Sequence, residues 1–481
     1  MKTIKIVAIL LLTVAIGCTD DFEDTNTNPN EPETVTANLL LSTAISNGVN
    51  SVVDQAWDNG NIVAQLTAKI NFTDFDRYNW GTESGFWDDM YENIAVTENI
   101  ISIATAEGSE NTSYEAIALV LRSWMYAQLT DCWGDVPYSE AINGQTEDNF
   151  QPTYDAQQNI YTGIIADLER ADQLLAQGQQ IFGGDVIFDG DLTNWRKLAN
   201  SLRLRYLMRS SNVSDVSSAM QAIADAGNIF ESNSDNAVLI YPATSQVDSW
   251  PISNGRIGGF DEHRMSTTSE AFLKQYGDNR ISAWFQPTDN PDDDPTLFAG
   301  LPNGLSENNA STYNGGASNV SRLNQSFFYD SPNSVEAPIM KFSEVQFILA
   351  EAAQRGLISG DAETYYNAGV TAELEYWNTG QDVAAYLAQT GVAYDGTLEL
   401  IITQKWLGSF LVGMEGWFDF RRTGFPSFIV PGQDNVNNDV VPVRFFYPDS
   451  EQTLNADNYS AAVLALGGSD NINTPGWWES N

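Results

Sequence analysis

Ile160-Tyr161-Thr162-Gly163-Ile164-Ile165-Ala166-Asp167-Leu168-Glu169-Arg170-Ala171-Asp172-Gln173-Leu174-Leu175 sets apolar residues at Ile160, Ile164, Leu168, Ala171 and Leu175. Steps of three and four residues line one face of an α-helix, because about 3.6 residues complete a turn. The spacing predicts an amphipathic helix buried along that stripe. Trp195, Leu198, Leu202 and Tyr206 repeat the pattern, and Ile117, Leu121 and Trp124 mark an earlier helix. Ser343-Glu344-Val345-Gln346 reads as a capping box opening a helix through Leu349 and Ala353, stopped near Gly356. A second helix follows from Asp361 to about Trp377. That pair fills about 34 residues, the size of one tetratricopeptide unit, although no clean sequence repeat accompanies it. The fold class expected is mostly α, built of tetratricopeptide-like helix pairs.

Between about Asn228 and Pro338 the helical period fades and Gly, Asn, Ser, Pro and Asp become dense, as in Asn314-Gly315-Gly316. Ala237-Val238-Leu239-Ile240-Tyr241 has the composition of a short strand. Residues 228–338 therefore form a loop-rich insertion carrying short strands, and loops of that length commonly carry function.

The N-terminus adds an address. Lys2 and Lys5 precede an apolar stretch from Ile6 to Ile16 that ends in Ala15-Ile16-Gly17-Cys18. A basic start and a short apolar core make a secretory signal, too short for the roughly 20 residues that span a bilayer. Small residues directly before a cysteine follow the pattern of a bacterial lipoprotein signal, in which that cysteine is acylated. Residues 1–17 are expected to be removed, Cys18 to carry lipid, and residues 18–35 to form a flexible tether, with the binding domain over 36–481. Asp20, Asp21, Glu23 and Asp24 also resemble the surface-export signal of Bacteroidota lipoproteins, which implies the outer face of the outer membrane.

Composition narrows the chemistry. The net charge is −42, with 64 acidic against 22 basic residues, a field that repels nucleic acid and anionic polymers but not neutral ligands. With Cys18 lipidated, Cys132 stands alone, so neither a disulfide framework nor a thiolate metal cluster is available within one chain. His263 is the only histidine, which argues against His-based zinc sites and Ser-His-Asp chemistry.

Several segments together resemble the SusD/RagB family of nutrient-binding outer-membrane lipoproteins. They are Thr130-Asp131-Cys132-Trp133-Gly134-Asp135-Val136-Pro137-Tyr138, the helix Trp195 to Arg205, Ser343-Glu344 with Leu349-Ala350-Glu351-Ala352, Lys405-Trp406, Glu415 to Pro426, and Arg444-Phe445-Phe446-Tyr447-Pro448. The resemblance implies four tetratricopeptide-like helix pairs beside an irregular ligand-binding region. It also implies a partner, a SusC-like TonB-dependent transporter, and a ligand, mostly glycan and in some members peptide.

A glycan site needs exposed rings to stack on sugar C–H faces, with amides and carboxylates for the hydroxyls. Trp124, Trp195, Trp377 and Trp406 fall on apolar helix faces, and Trp133 and Trp417 lie in packing turns. The loop aromatics remain. In Phe72-Thr73-Asp74-Phe75-Asp76-Arg77-Tyr78-Asn79-Trp80-Gly81, rings alternate with polar groups in no regular period. Trp80 and Tyr78 are expected to meet ligand, with Asp76, Arg77 and Asn79 bonding hydroxyls; Trp284 and Tyr313 are further candidates. Asp289, Asp292, Asp293 and Asp294 offer oxygen ligands for Ca²⁺, but a solvated acidic turn is the favoured reading, and no cofactor is expected. The basic run Arg196, Lys197, Arg203, Arg205 and Arg209 is expected to pair with carboxylates rather than bind phosphate.

These features predict a non-catalytic lipoprotein that captures a neutral oligosaccharide, with a laminarin-type β-glucan as the first expectation, and hands it to its transporter. Peptide capture on the same scaffold is the alternative. A glycosidase working with two carboxylates has no support, since among 64 acidic residues some pair always falls together.

Overall fold

The computed structural model describes residues 35–144, 148–292 and 294–479. The expectations for the signal segment, Cys18 and residues 18–34 lie outside the described residues. The first five helices are α1 (Ala37–Gln55), α2 (Ser84–Thr105), α3 (Thr112–Trp133), α4 (Gln157–Leu175) and α5 (Leu192–Ser210), of which α3, α4 and α5 are the ones the periodic spacing predicts. Each packs on the next in chain order. In α4 the predicted stripe of Ile160, Ile164, Leu168, Ala171 and Leu175 is the buried face. Nearly every residue of α3 is buried, since it lies between α2 and α4, and a helix covered on all sides carries apolar residues all round. Side chains close two of these helix starts: Asn111 accepts from the amides of Ser113 and Tyr114, and Asp191 from those of Thr193 and Asn194.

The second group comprises α6 (Phe342–Gln354), α7 (Ala362–Tyr376), α8 (Leu398–Gly408) and α9 (Glu415–Thr423). Helices α6 and α7 form the pair expected from the sequence, and α6 packs back on α5. The capping box expected at Ser343 does not form. The helix begins at Phe342, and Ser343 Oγ instead donates to Glu373 Oε2 at 2.7 Å, across the pair on α7. Glu373 is buried and also takes Lys341 Nζ at 2.7 Å. A desolvated carboxylate gathers every donor within reach, and here that outweighs local capping.

The basic run on α5 pairs with carboxylates throughout. Arg196 meets Asp172 at 2.6 Å, Lys197 meets Glu231 at 2.6 Å, and Arg203 meets Glu169 at 3.5 Å. Arg205 binds Glu344 at 2.5 Å, and Arg209 binds Asp131 at 2.6 Å together with Glu415. Arg422 joins Glu351 at 2.5 Å, and Lys405 joins Asp419 at 2.7 Å. Burial pushes the Asp419 carboxyl up, but Lys405 and Arg422 outweigh it and hold the group well below the usual range. These residues clamp α3, α5, α6, α8 and α9 together.

The insertion contributes β2 (Ala237–Ile240) and β3 (His263–Met265), flanked by β1 (Thr67–Lys69) and β4 (Glu336–Met340). β2 pairs antiparallel with β4, and β1 with β3 in the register Thr67 to Met265 and Lys69 to His263. The second pairing fastens the insertion to the loop that follows α1, beside the aromatic segment singled out from the sequence. Among the described residues no helix is long and apolar enough to cross a membrane.

Candidate ligand-binding site

Three loop segments meet beyond β1: residues 70–81, residues 301–316, which include the short helix Glu307–Thr312, and residues 425–441. Buried Asn303 ties them from below, its Nδ2 donating to the Thr67 carbonyl at 2.8 Å and to Asp76 Oδ1 at 2.8 Å. Arg77 Nε donates to the Asp434 carbonyl at 2.9 Å, and the Val436 amide donates back to the Arg77 carbonyl at 2.9 Å. Asp434 Oδ2 accepts from the Ser306 amide at 2.8 Å and from Asn309 Nδ2 at 2.6 Å. Where the second and third loops cross, a Cβ on Gly432 would stand 1.9 Å from the Asn303 carbonyl oxygen, so only glycine allows the approach.

The expected site residues divide sharply. Trp80 is buried, 7% exposed, stacked on Phe75 at 4.6 Å and edged by Phe445 and Trp417 at 5.2 and 5.7 Å. Its Nε1 donates to the Phe75 carbonyl at 2.9 Å, so neither face nor edge is offered to a ligand. Tyr78 is also buried, and its ring meets Trp80 edge-on. Trp284 is wholly enclosed, stacked on Phe410 at 4.2 Å. These three expectations are corrected: each ring anchors its loop in the aromatic core, where burial of a large side chain gains more than exposure permits. Asp76 is corrected as well, since its carboxylate is buried under Asn303 and the Lys69 amide. Burial pushes its pKa up to about 7, against the pull of those hydrogen bonds. Arg77 is half-buried and occupied by the knot. Asn79 stays exposed, donating to Asp74 Oδ1 at 3.1 Å, and Tyr313 is half-buried.

The ring that the loop does present is Phe72, 68% exposed. Its backbone sits at φ 52, in the left-handed region that a bulky residue rarely enters. Such strain persists where the surroundings impose it and concentrates at functional positions. Nearby, Tyr313 packs on the small apolar cluster of Ala68, Ile70, Leu301, Leu305, Ala310 and Val320. The first and second loops are therefore brought together through Ile70 and Tyr313, and the residues they leave exposed include Phe72, Asn79, Asn308 and Asn309. Phe72 opens the stretch quoted from the sequence. Its exposure is legible there only as a bulky residue between Asn71 and Thr73, and its backbone angle not at all.

Among the described residues no group of three or more His, Cys, Asp or Glu side chains is arranged to hold a metal ion. Asp289 is bound to Arg322 at 2.8 Å, Asp294 closes its own turn on Thr296, and Asp293 lies outside the described residues. His263 packs on Trp57 at 4.8 Å, and burial lowers its pKa to about 4.

Residues 29–448 match the sequence model of a SusD-like family described as starch-binding and associating with the outer membrane. The chain belongs to the SusD-like family. A solved outer-membrane protein of Bacteroides vulgatus linked to nutrient binding superposes with a TM-score of 0.81 at 30% identity, covering 93% of this chain and all (100%) of that one. A solved chitin-binding protein superposes at 0.80 with 27% identity, over 92% of this chain and 99% of its own. A SusD-like protein of Formosa agariphila is 25% identical over 201 residues, which spans 37% of this chain and 39% of that relative.

The SusD-like motifs turn out to be scaffold. In the turn after α3, Gly134 takes φ 86, and Asp135 accepts the Gln157 amide at 2.8 Å where α4 begins. Asp131 accepts Tyr161 Oη at 2.5 Å and Trp478 Nε1 at 2.9 Å. Glu351, Glu415, Asp419 and Arg422 belong to the buried ionic clamp. The segments that identify the family thus hold the helices together.

Proposed function

We propose that this SusD-like protein captures a neutral glycan on the three-loop face and passes it, without cleaving it, to a TonB-dependent transporter of the outer membrane. The observation that carries the reading is Phe72, an exposed ring held in a strained backbone on a firmly knotted loop. Its face stacks on a sugar ring while Asn79, Asn308, Asn309 and the Tyr313 hydroxyl bond ring hydroxyls. Rigid placement supports affinity, because less freedom is lost on binding. Acylation of Cys18 tethers the receptor to the outer face of the membrane through residues 18–35.

The net charge of −42 disfavours uronate and sulfate polymers and leaves neutral glycans as ligands. A laminarin-type β-glucan is the first assignment. The chitin-binding relative makes chito-oligosaccharide, also neutral, the comparison. The test is isothermal titration with laminari- and chito-oligosaccharides against the chain and its Phe72→Ala variant. Saturable heat that the variant loses supports the assignment. Heat with peptides and none with any glycan assigns peptide capture instead.

A further inference from the structure

A second cleft is lined by none of the residues of the three-loop face. It opens between α2 and the segment that follows the α3 turn, and its volume is about 560 Å³. Ligand sites commonly fall between about 300 and 1,000 Å³. One wall is a single stripe of α2, where Ala95, Glu98, Asn99 and Ser102 stand at helical spacing, Asn99 and Ser102 exposed. The two small residues open space, and Glu98 and Asn99 supply a carboxylate and an amide. Glu98 is fixed, its Oε1 bound by Arg122 at 2.5 Å, while Arg122 also holds Asp167 at 2.6 Å.

The floor is aromatic and built. Tyr138 lies edge-on to Tyr126, ring centres 4.6 Å apart. Its hydroxyl end covers Gly163 in the middle of α4, where a Cβ would stand 2.3 Å from the phenol oxygen. Glycine inside a helix costs roughly 0.5–1 kcal/mol relative to alanine. That cost is met at the one point that seats the Tyr138 ring. At the rim, Phe150 is 72% exposed and rests against Gly144, where a Cβ would lie 3.1 Å from the ring. An exposed ring, a seated phenol, a carboxylate and an amide around one cleft are the chemistry of a pyranose site.

We infer that this cleft is a second carbohydrate subsite, which takes a short stretch of the same neutral glycan on the helical face of the molecule. The inference rests on the glycan reading of the three-loop face, and its test separates the two. Laminarihexaose and chitohexaose are titrated calorimetrically into the full chain, Phe72→Ala, Phe150→Ala with Asn99→Ala, and the combination of all three substitutions. Phe150 and Asn99 are exposed, and melting curves confirm that each variant folds. Two sites in the chain, one in each single-face variant and none in the combination support the subsite, with association at the cleft weakened about tenfold or more when its ring is lost. One site that survives Phe72→Ala and vanishes with Phe150→Ala and Asn99→Ala also supports it, and removes the loop-face reading instead. A single site lost with Phe72→Ala and untouched by the cleft substitutions overturns the subsite alone. No heat with either probe in any form overturns both.

Discussion

Trp80 is enclosed by Phe75, Phe445 and Trp417, while Phe72 at the head of the same loop turns its ring outward. The two residues therefore answer differently to truncation. Trp80→Ala removes a buried indole and its hydrogen bond, and denaturant unfolding is expected to show a loss of about 3–5 kcal/mol. Phe72→Ala is expected to leave the melting temperature within a few degrees of the parent while weakening glycan retention. Asp76 gives a pH signature. Its folded pKa of about 7 stands above the ordinary 3.8, so between those values the folded chain holds a proton that the unfolded chain has released. Stability from this group is full below about pH 4 and is lost as pH rises through 7. Asp76→Asn cannot titrate, so unfolding midpoints at pH 5 and pH 8 should shift in the variant's favour as pH rises. A constant difference between the two proteins would place Asp76 at its ordinary pKa. The sequence marked the loop but put Trp80 rather than Phe72 at its surface, because alternation of rings with polar groups does not reveal which side chains three distant loops will enclose.

Helices were the legible elements. The α4 stripe and the α6 and α7 pair follow from spacing alone, since each is decided within a few turns of the chain, whereas the α5 cations could be expected to pair but their partners, most of them on other helices, could not be named. The strands were less so: β1 and β3 are three residues each and join segments far apart in sequence, too short for a period to register. The unmade capping box at Ser343 has the same cause, a partner on another helix. The clamp on α5 gives a prediction at this scale. Arg209→Met leaves Asp131 and Glu415 buried without their shared cation and should cost about 3–5 kcal/mol in chemical denaturation. Arg196→Met, at a more exposed pair, should cost about 1 kcal/mol or less. Neither change is expected to alter glycan binding in a folded protein, which separates the scaffold from the recognition face.

At the scale of the molecule, helix pairs bound by buried ions hold a set of loops rigid, and the family motifs fall mostly on the helices and their turns, while the glycan face proposed above lies on the loops. That division explains why fold and family can be read from the chain whereas the ligand cannot: packing residues recur at fixed spacings, and a binding face is set by which loop side chains remain uncovered. The acidic surface adds selectivity, since the net charge of −42 sets a repulsion against anionic polymers that neutral glycans escape. The central claim is that the three-loop face binds a neutral glycan without cleaving it. Its most direct measurement is native affinity electrophoresis of the full chain and of Phe72→Ala in gels containing laminarin or soluble chitin derivatives, with reducing ends assayed in parallel. The account predicts retarded migration of the parent, restored mobility of the variant and no release of reducing sugar. Equal migration of the parent with and without every glycan, or reducing sugar released by the parent protein, would contradict it.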